Sequence, residues 1–228
     1  MNNILITGGA GYIGSKISSD LIKRKYNVII VDSLITGHRS LINKQAIFFR
    51  CNISNEKKID SILKKYKIDS IIHCAASVDV SESERNPSKY FENNTENTKK
   101  LLKVCSKNKI KNFIFSSTCA VYGNVSGIVT ERTKTIPFNV YGKSKLKCEN
   151  FIKSYAKKNN FNYAILRYFN VAGSDIKNKL GCINNYNQLI KNLAISVLKK
   201  ENKISVYGNN YTTPDGTCIR DFIFISDI

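Results

Sequence analysis

The chain has 228 residues, 42% of them hydrophobic, and a formal charge of +19. That is core material for one full α/β domain and part of a second, with no apolar run of about 18 residues to cross a membrane. Only His38 and His73 are available for a histidine zinc site or a Ser-His-Asp triad, so no metal is expected.

Lysines sit on nearly every predicted helix, among them Lys23, Lys57, Lys64, Lys99, Lys107, Lys153 and Lys199. No single basic stripe results, which argues against a nucleic-acid partner. The seven cysteines are scattered and never form C-x-x-C, which fits reduced thiols and a cytoplasmic location. The first residues enter a strand pattern directly, so no signal peptide is expected.

In chain order, Asn3–Thr7 reads as an apolar strand and Tyr12–Lys25 as a helix with Ile13, Ile17, Leu21 and Ile22 on one side. Between them lies Thr7-Gly8-Gly9-Ala10-Gly11-Tyr12-Ile13-Gly14, with Gly8, Gly11 and Gly14 spaced three apart. A glycine-rich turn from strand to helix lets a pyrophosphate approach the helix N-terminus, where a Cβ would intrude. The second strand, Asn27–Asp32, ends on a carboxylate 18 residues after Gly14. Asp32 there would accept ribose hydroxyls and repel a 2′-phosphate, which favours NAD over NADP.

Ala46–Arg50 is a short third strand, Glu56–Tyr66 a helix, Asp69–Cys74 a fourth strand, and Pro87–Lys107 contains a long helix. His73 closes an apolar run and reads as a satisfied strand-end histidine. Asn112–Ser117 is the fifth strand, Asn139–Lys158 holds another long helix, and Asn162–Tyr168 is the sixth strand. Continuous apolar strands alternating with amphipathic helices predict a doubly wound parallel sheet of Rossmann type. Beyond it, Asp175–Asn187 reads as loop, Gln188–Lys200 as helix and Ile204–Tyr207 as a short strand. The expected division is a cofactor domain over 1–170 and the start of a smaller substrate-binding lobe over 171–228.

Tyr141 and Lys145 open a helix at i and i+4, so they share a face. An ammonium beside a phenol favours the phenolate, which would let Tyr141 serve as a general base. Ser116-Ser117-Thr118 after the fifth strand offers a hydroxyl, Thr118, to hold the oxygen that Tyr141 deprotonates.

These motifs resemble the extended short-chain dehydrogenase/reductase family. The resemblance spans Asn3–Asp227 and includes the Asp32–His38 loop, Phe113–Ser117, Ala120–Gly123, Leu166–Asn170 and Asp215–Asp221. It implies bound NAD that takes a hydride from C4 of a UDP-sugar and returns it to the other face, interconverting UDP-glucose and UDP-galactose. Tyr141 would be the base, Lys145 would bind the nicotinamide ribose, and Thr118 would hydrogen-bond the same hydroxyl. Besides Gly8, Gly11, Gly14, Asp32, Tyr141 and Lys145, the implied cofactor contacts are Tyr12, Ile13, Asn52, Ile53, Ala75, Asn94, Ser116 and Tyr168. Asn170 and Arg220 would contact the nucleotide diphosphate, with Thr118 the third substrate residue. The family's dimers imply a homodimer through the two long helices.

Related dehydratases and decarboxylases carry a carboxylate just after the serine–threonine pair, whereas this chain has Thr118-Cys119-Ala120-Val121. That gap favours epimerisation. Three departures stand out: Asn52 replaces the usual adenine-facing aspartate, Val78 falls where some members have a lysine, and Gln188 where Asn or His is usual. Family members also continue past the segment matching Arg220–Ile225, so a truncated form is expected. Two other functions stay open: epimerisation of UDP-glucuronate or a UDP-N-acetylhexosamine, and an NAD-holding remnant without turnover.

Overall fold

A computed structural model describes residues 3–125, 127–175, 180–184, 188–201 and 203–228. Six parallel strands form one sheet: β1 (Asn3–Thr7), β2 (Asn27–Asp32), β3 (Ile47–Arg50), β4 (Ser70–His73), β5 (Asn112–Thr118) and β6 (Asn162–Tyr168), in the order β3-β2-β1-β4-β5-β6. The order reverses between β1 and β4, which opens a crevice at the carboxyl ends of those strands. Alternation along the strands feeds two cores. Leu5, Ile29, Val31, Ile71, Phe113 and Phe115 pack in one core with residues of α2 (Glu56–Lys65), α5 (Asn97–Lys107) and α6 (Val140–Asn159). Ile4, Ile6, Val28, Ile30 and Ile72 pack in the other with Ile17, Leu21 and Ile22 of α1 (Tyr12–Lys23). Helices on both faces bury the inner strands β1, β2, β4 and β5, which accounts for their continuous apolar composition, while the edge strands β3 and β6 stay partly exposed.

The expected long helix over Pro87–Lys107 is interrupted. A short α4 (Pro87–Tyr90) runs into a π-helical stretch, Phe91–Glu96, before α5 begins. Such widened turns gather at functional sites, and this one aims Asn94 inward. Ahead of it, α3 (Val80–Arg85) starts where Asp79 Oδ1 accepts the Glu82 amide at 2.7 Å.

The chain folds as two compact units, Met1–Tyr168 and Phe169–Ile228. The second holds α7 (Leu189–Leu198) and a two-stranded parallel sheet of β7 (Asn170–Ala172) and β8 (Phe222–Phe224). The strand expected at Ile204–Tyr207 does not form: those residues carry no secondary structure, and Val206 and Tyr207 stand mostly exposed. Alternating residues there found no backbone partner to complete a ladder, whereas Asn170–Ala172 pairs with Phe222–Phe224. Part of the Asp175–Asn187 loop lies outside the described residues. No helix among the described residues is long and apolar enough to cross a membrane.

Candidate active site

The glycine turn is shaped by close approach. Gly8 has φ +72°, and a Cβ there would meet the Ala75 backbone nitrogen at 2.6 Å, so the end of β1 can lie against the end of β4 only with glycine. A Cβ on Gly14 would strike the Gly8 carbonyl oxygen. α1 then starts at Gly11 with no side-chain cap and no acidic residue in its first turn, leaving its N-terminal field to a ligand. Tyr12 and Ile13 form that first turn. The cradle fits a dinucleotide pyrophosphate.

Asp32 closes the cradle from β2. Its Oδ2 accepts the Ala10 amide at 3.0 Å and its Oδ1 accepts the Leu34 amide at 2.8 Å. Each carboxylate oxygen keeps lone-pair capacity beyond these bonds, so the residue braces the turn and can still accept a hydroxyl. Asn52 spends its Oδ1 on the Ser54 amide at 2.9 Å, and Ile53 beside it is buried in the core.

The second half of the site gathers where α6 meets the end of β5. Asn139 caps α6, its Oδ1 accepting the Gly142 amide at 2.7 Å, which presents Tyr141 and Lys145 on one face. The Thr118 hydroxyl lies beside the Tyr141 phenol and favours its ionised form, while it accepts the Ala120 amide at 3.2 Å. Lys145 is 3% exposed; its Nζ donates to the Ser116 carbonyl at 2.6 Å and lies 4.5 Å from the Phe115 ring centroid. Burial pulls the Lys145 ammonium below its ordinary value, opposed by Cys148, Cys74 and Glu149.

Burial pushes the Tyr141 phenol up to about 12, partly offset by the Thr118 hydroxyl, and the positive nicotinamide that the Tyr141 reading includes would act against that burial. The ammonium of Lys145 is turned to Ser116 and Phe115, so desolvation dominates. Tyr168, at the end of β6, is likewise pushed up by burial.

Asn94 is fully committed. Its Oδ1 accepts the Ser77 amide at 2.8 Å, and its Nδ2 donates to the Ser77 carbonyl at 3.0 Å and to Ser144 Oγ at 3.1 Å. It stitches the segment after β4 to the first turns of α6. Asn170 and Arg220 belong to the second unit, where Asn170 Nδ2 donates to the Asp221 carbonyl at 2.8 Å.

Sequence reasoning missed Glu149 and Arg167, which pair at 2.7 Å behind the site. The signal was present: Tyr141, Lys145 and Glu149 recur every four residues. That spacing keeps a third polar side chain on the face that carries the first two.

A dinucleotide-type crevice between β1 and β4, with a tyrosine and a lysine on the helix after β5, suits a nicotinamide-dependent enzyme that oxidises and reduces an alcohol carbon. The chain belongs to the NAD dependent epimerase/dehydratase family, whose pattern it matches over residues 4–228.

More particularly, it is 36% identical to the UDP-glucose 4-epimerase of Rhizobium meliloti (strain 1021), covering 100% of this chain and 70% of that protein. It is 37% identical to the bifunctional protein GAL10 of Pachysolen tannophilus, of which it spans 35%. Among solved structures, the UDP-glucose 4-epimerase from Brucella ovis in complex with NAD superposes with a TM-score of 0.94 at 38% identity, covering 100% of this chain and 70% of that one.

Proposed function

We propose that this chain interconverts UDP-glucose and UDP-galactose by transient oxidation at C4 of the sugar. The observation that carries this is that Asn139 caps α6 so that Tyr141 and Lys145 share one face at the end of β5, where Thr118 stands, on the same fold whose first turn forms the dinucleotide cradle. Thr118 orients the sugar 4-hydroxyl and Tyr141 takes its proton, returning it when the keto sugar is reduced. When bound, NAD supplies the hydride acceptor and a positive charge that favours the phenolate. Lys145 fixes the nicotinamide ribose, and the glycine turn and Asp32 hold the adenosine half with Tyr12, Ile13, Asn52 and Ile53. Ala75, Ser116 and Tyr168 line the nicotinamide end, and Asn94 acts there by fixing α6.

Asn170 and Arg220 take the nucleotide diphosphate, Arg220 as its charge partner. The segment Thr118-Cys119-Ala120-Val121 carries no carboxylate, which favours epimerisation over dehydration. The resemblance to the extended short-chain dehydrogenase/reductase family is the ground for a homodimer through α5 and α6. The seven free thiols support a cytoplasmic setting.

Turnover of UDP-galactose and NAD retention, measured on the same preparation, test the reading. Tyr141→Phe should lower turnover at least about 100-fold while bound NAD is kept. Residual full turnover, or loss of NAD in that variant, would overturn the role of Tyr141.

A further inference from the structure

Glu149 is wholly buried on α6, where an ionised carboxylate persists only if paired and hydrogen-bonded. Arg167 of β6 donates Nε–H to Oε1 at 3.0 Å and Nη2–H to Oε2 at 2.7 Å. Ser117 of β5 donates its hydroxyl to Oε1 at 2.6 Å. Ser117 and Arg167 are register partners on neighbouring strands. The guanidinium also covers the Tyr122 ring, 4.8 Å from its centroid. The helix is thereby tied at one point to two strands and to the turn after β5. That point lies one helical turn beyond Lys145 and two beyond Tyr141 on the same face, and Ser117 directly precedes Thr118.

Apolar residues of similar volume would hold this helix on the sheet at least as firmly, so stability does not account for the charges. Register does. A bidentate guanidinium–carboxylate pair has one geometry, whereas apolar surfaces can slide. We propose that Glu149, clamped by Arg167 and Ser117, is a positioning residue that locks α6 against β5 and so keeps the Tyr141 phenol beside the Thr118 hydroxyl. Its link to catalysis rests on the epimerase reading, and the geometric part stands apart from it.

Carbon-13 NMR of the tyrosine Cζ atoms reads the phenol's hydrogen bond at neutral pH without turnover. Tyr141→Phe assigns the Tyr141 resonance, and Thr118→Val marks its position once the hydroxyl is gone. In Glu149→Gln, the resonance should move toward the Thr118→Val position, and kcat for UDP-galactose should fall roughly 10- to 100-fold with KM little changed. The double variant Glu149→Leu, Arg167→Met guards against simple unfolding. It should melt at or above the wild-type temperature while keeping the displaced resonance and low kcat.

A folded double variant with the wild-type resonance overturns the proposal, whatever its kcat. If the wild-type chain lacks turnover, the epimerase reading fails, and the resonance alone still decides the positioning role.

Discussion

Both ring nitrogens of His73 meet threonine hydroxyls, Nδ1 with Thr7 at 2.6 Å and Nε2 with Thr98 at 2.8 Å, and the ring stacks on Phe115. Burial, helped by the Lys145 charge, pulls its pKa from 6.5 to about 3. The neutral ring is therefore a stabilising state: its contribution is complete above pH 6.5 and is lost as the pH falls toward 3, because the unfolded chain takes up a proton that the folded chain refuses. Unfolding free energies across that window should fall more steeply for the wild type than for His73→Asn, by up to about 1.4 kcal/mol per pH unit. Parallel curves would contradict the buried neutral ring. The strand-end histidine was legible, because an apolar run led straight into it. The Asp32–Ala10 bond and the Asn94 stitching were not, since each joins residues far apart in the chain.

Among the elements, β1, β2 and β6 keep the bounds expected of them, and the helices differ only at their ends except for the one over Pro87–Lys107, which the π-helical stretch interrupts. Strongly periodic segments carry their own fold signal. The glycine turn is as strict as its spacing implied. Gly14→Ala should destabilise the chain by about 1–3 kcal/mol, because the new methyl group meets backbone that cannot yield, and should abolish NAD retention. Thermal melts with and without NAD check both, and a variant that melts normally and keeps NAD would refute the close approach.

Elements went unread where the signal was short. The Asp79–Glu82 capping pattern marked α3, yet six residues hold little periodicity. β7 and β8 are three residues each and exist through one another, so neither could be seen alone. The π-helical break needs Asn94's partners to explain it, and these lie on the segment after β4 and on α6.

At the scale of the molecule, the charge of +19 is spread over the surface and opposes compaction. Raising NaCl from about 0.01 M to 0.1 M shortens the screening length from about 30 Å to 10 Å, so the melting temperature should rise across that range. A flat or falling profile in differential scanning calorimetry would show that self-repulsion is not significant.

The alternation of strands and helices, the glycine spacing of the cradle and the pairing of Tyr141 with Lys145 on one helix face were set by the sequence itself, because each is a pattern carried by residues within a few positions of one another. Tertiary structure alone decided the state of the phenol, the direction of the Lys145 ammonium and the Glu149–Arg167–Ser117 clamp. Those outcomes turn on burial and on contacts between β5, β6 and α6, and desolvation depends on what surrounds a group rather than on what flanks it in the chain.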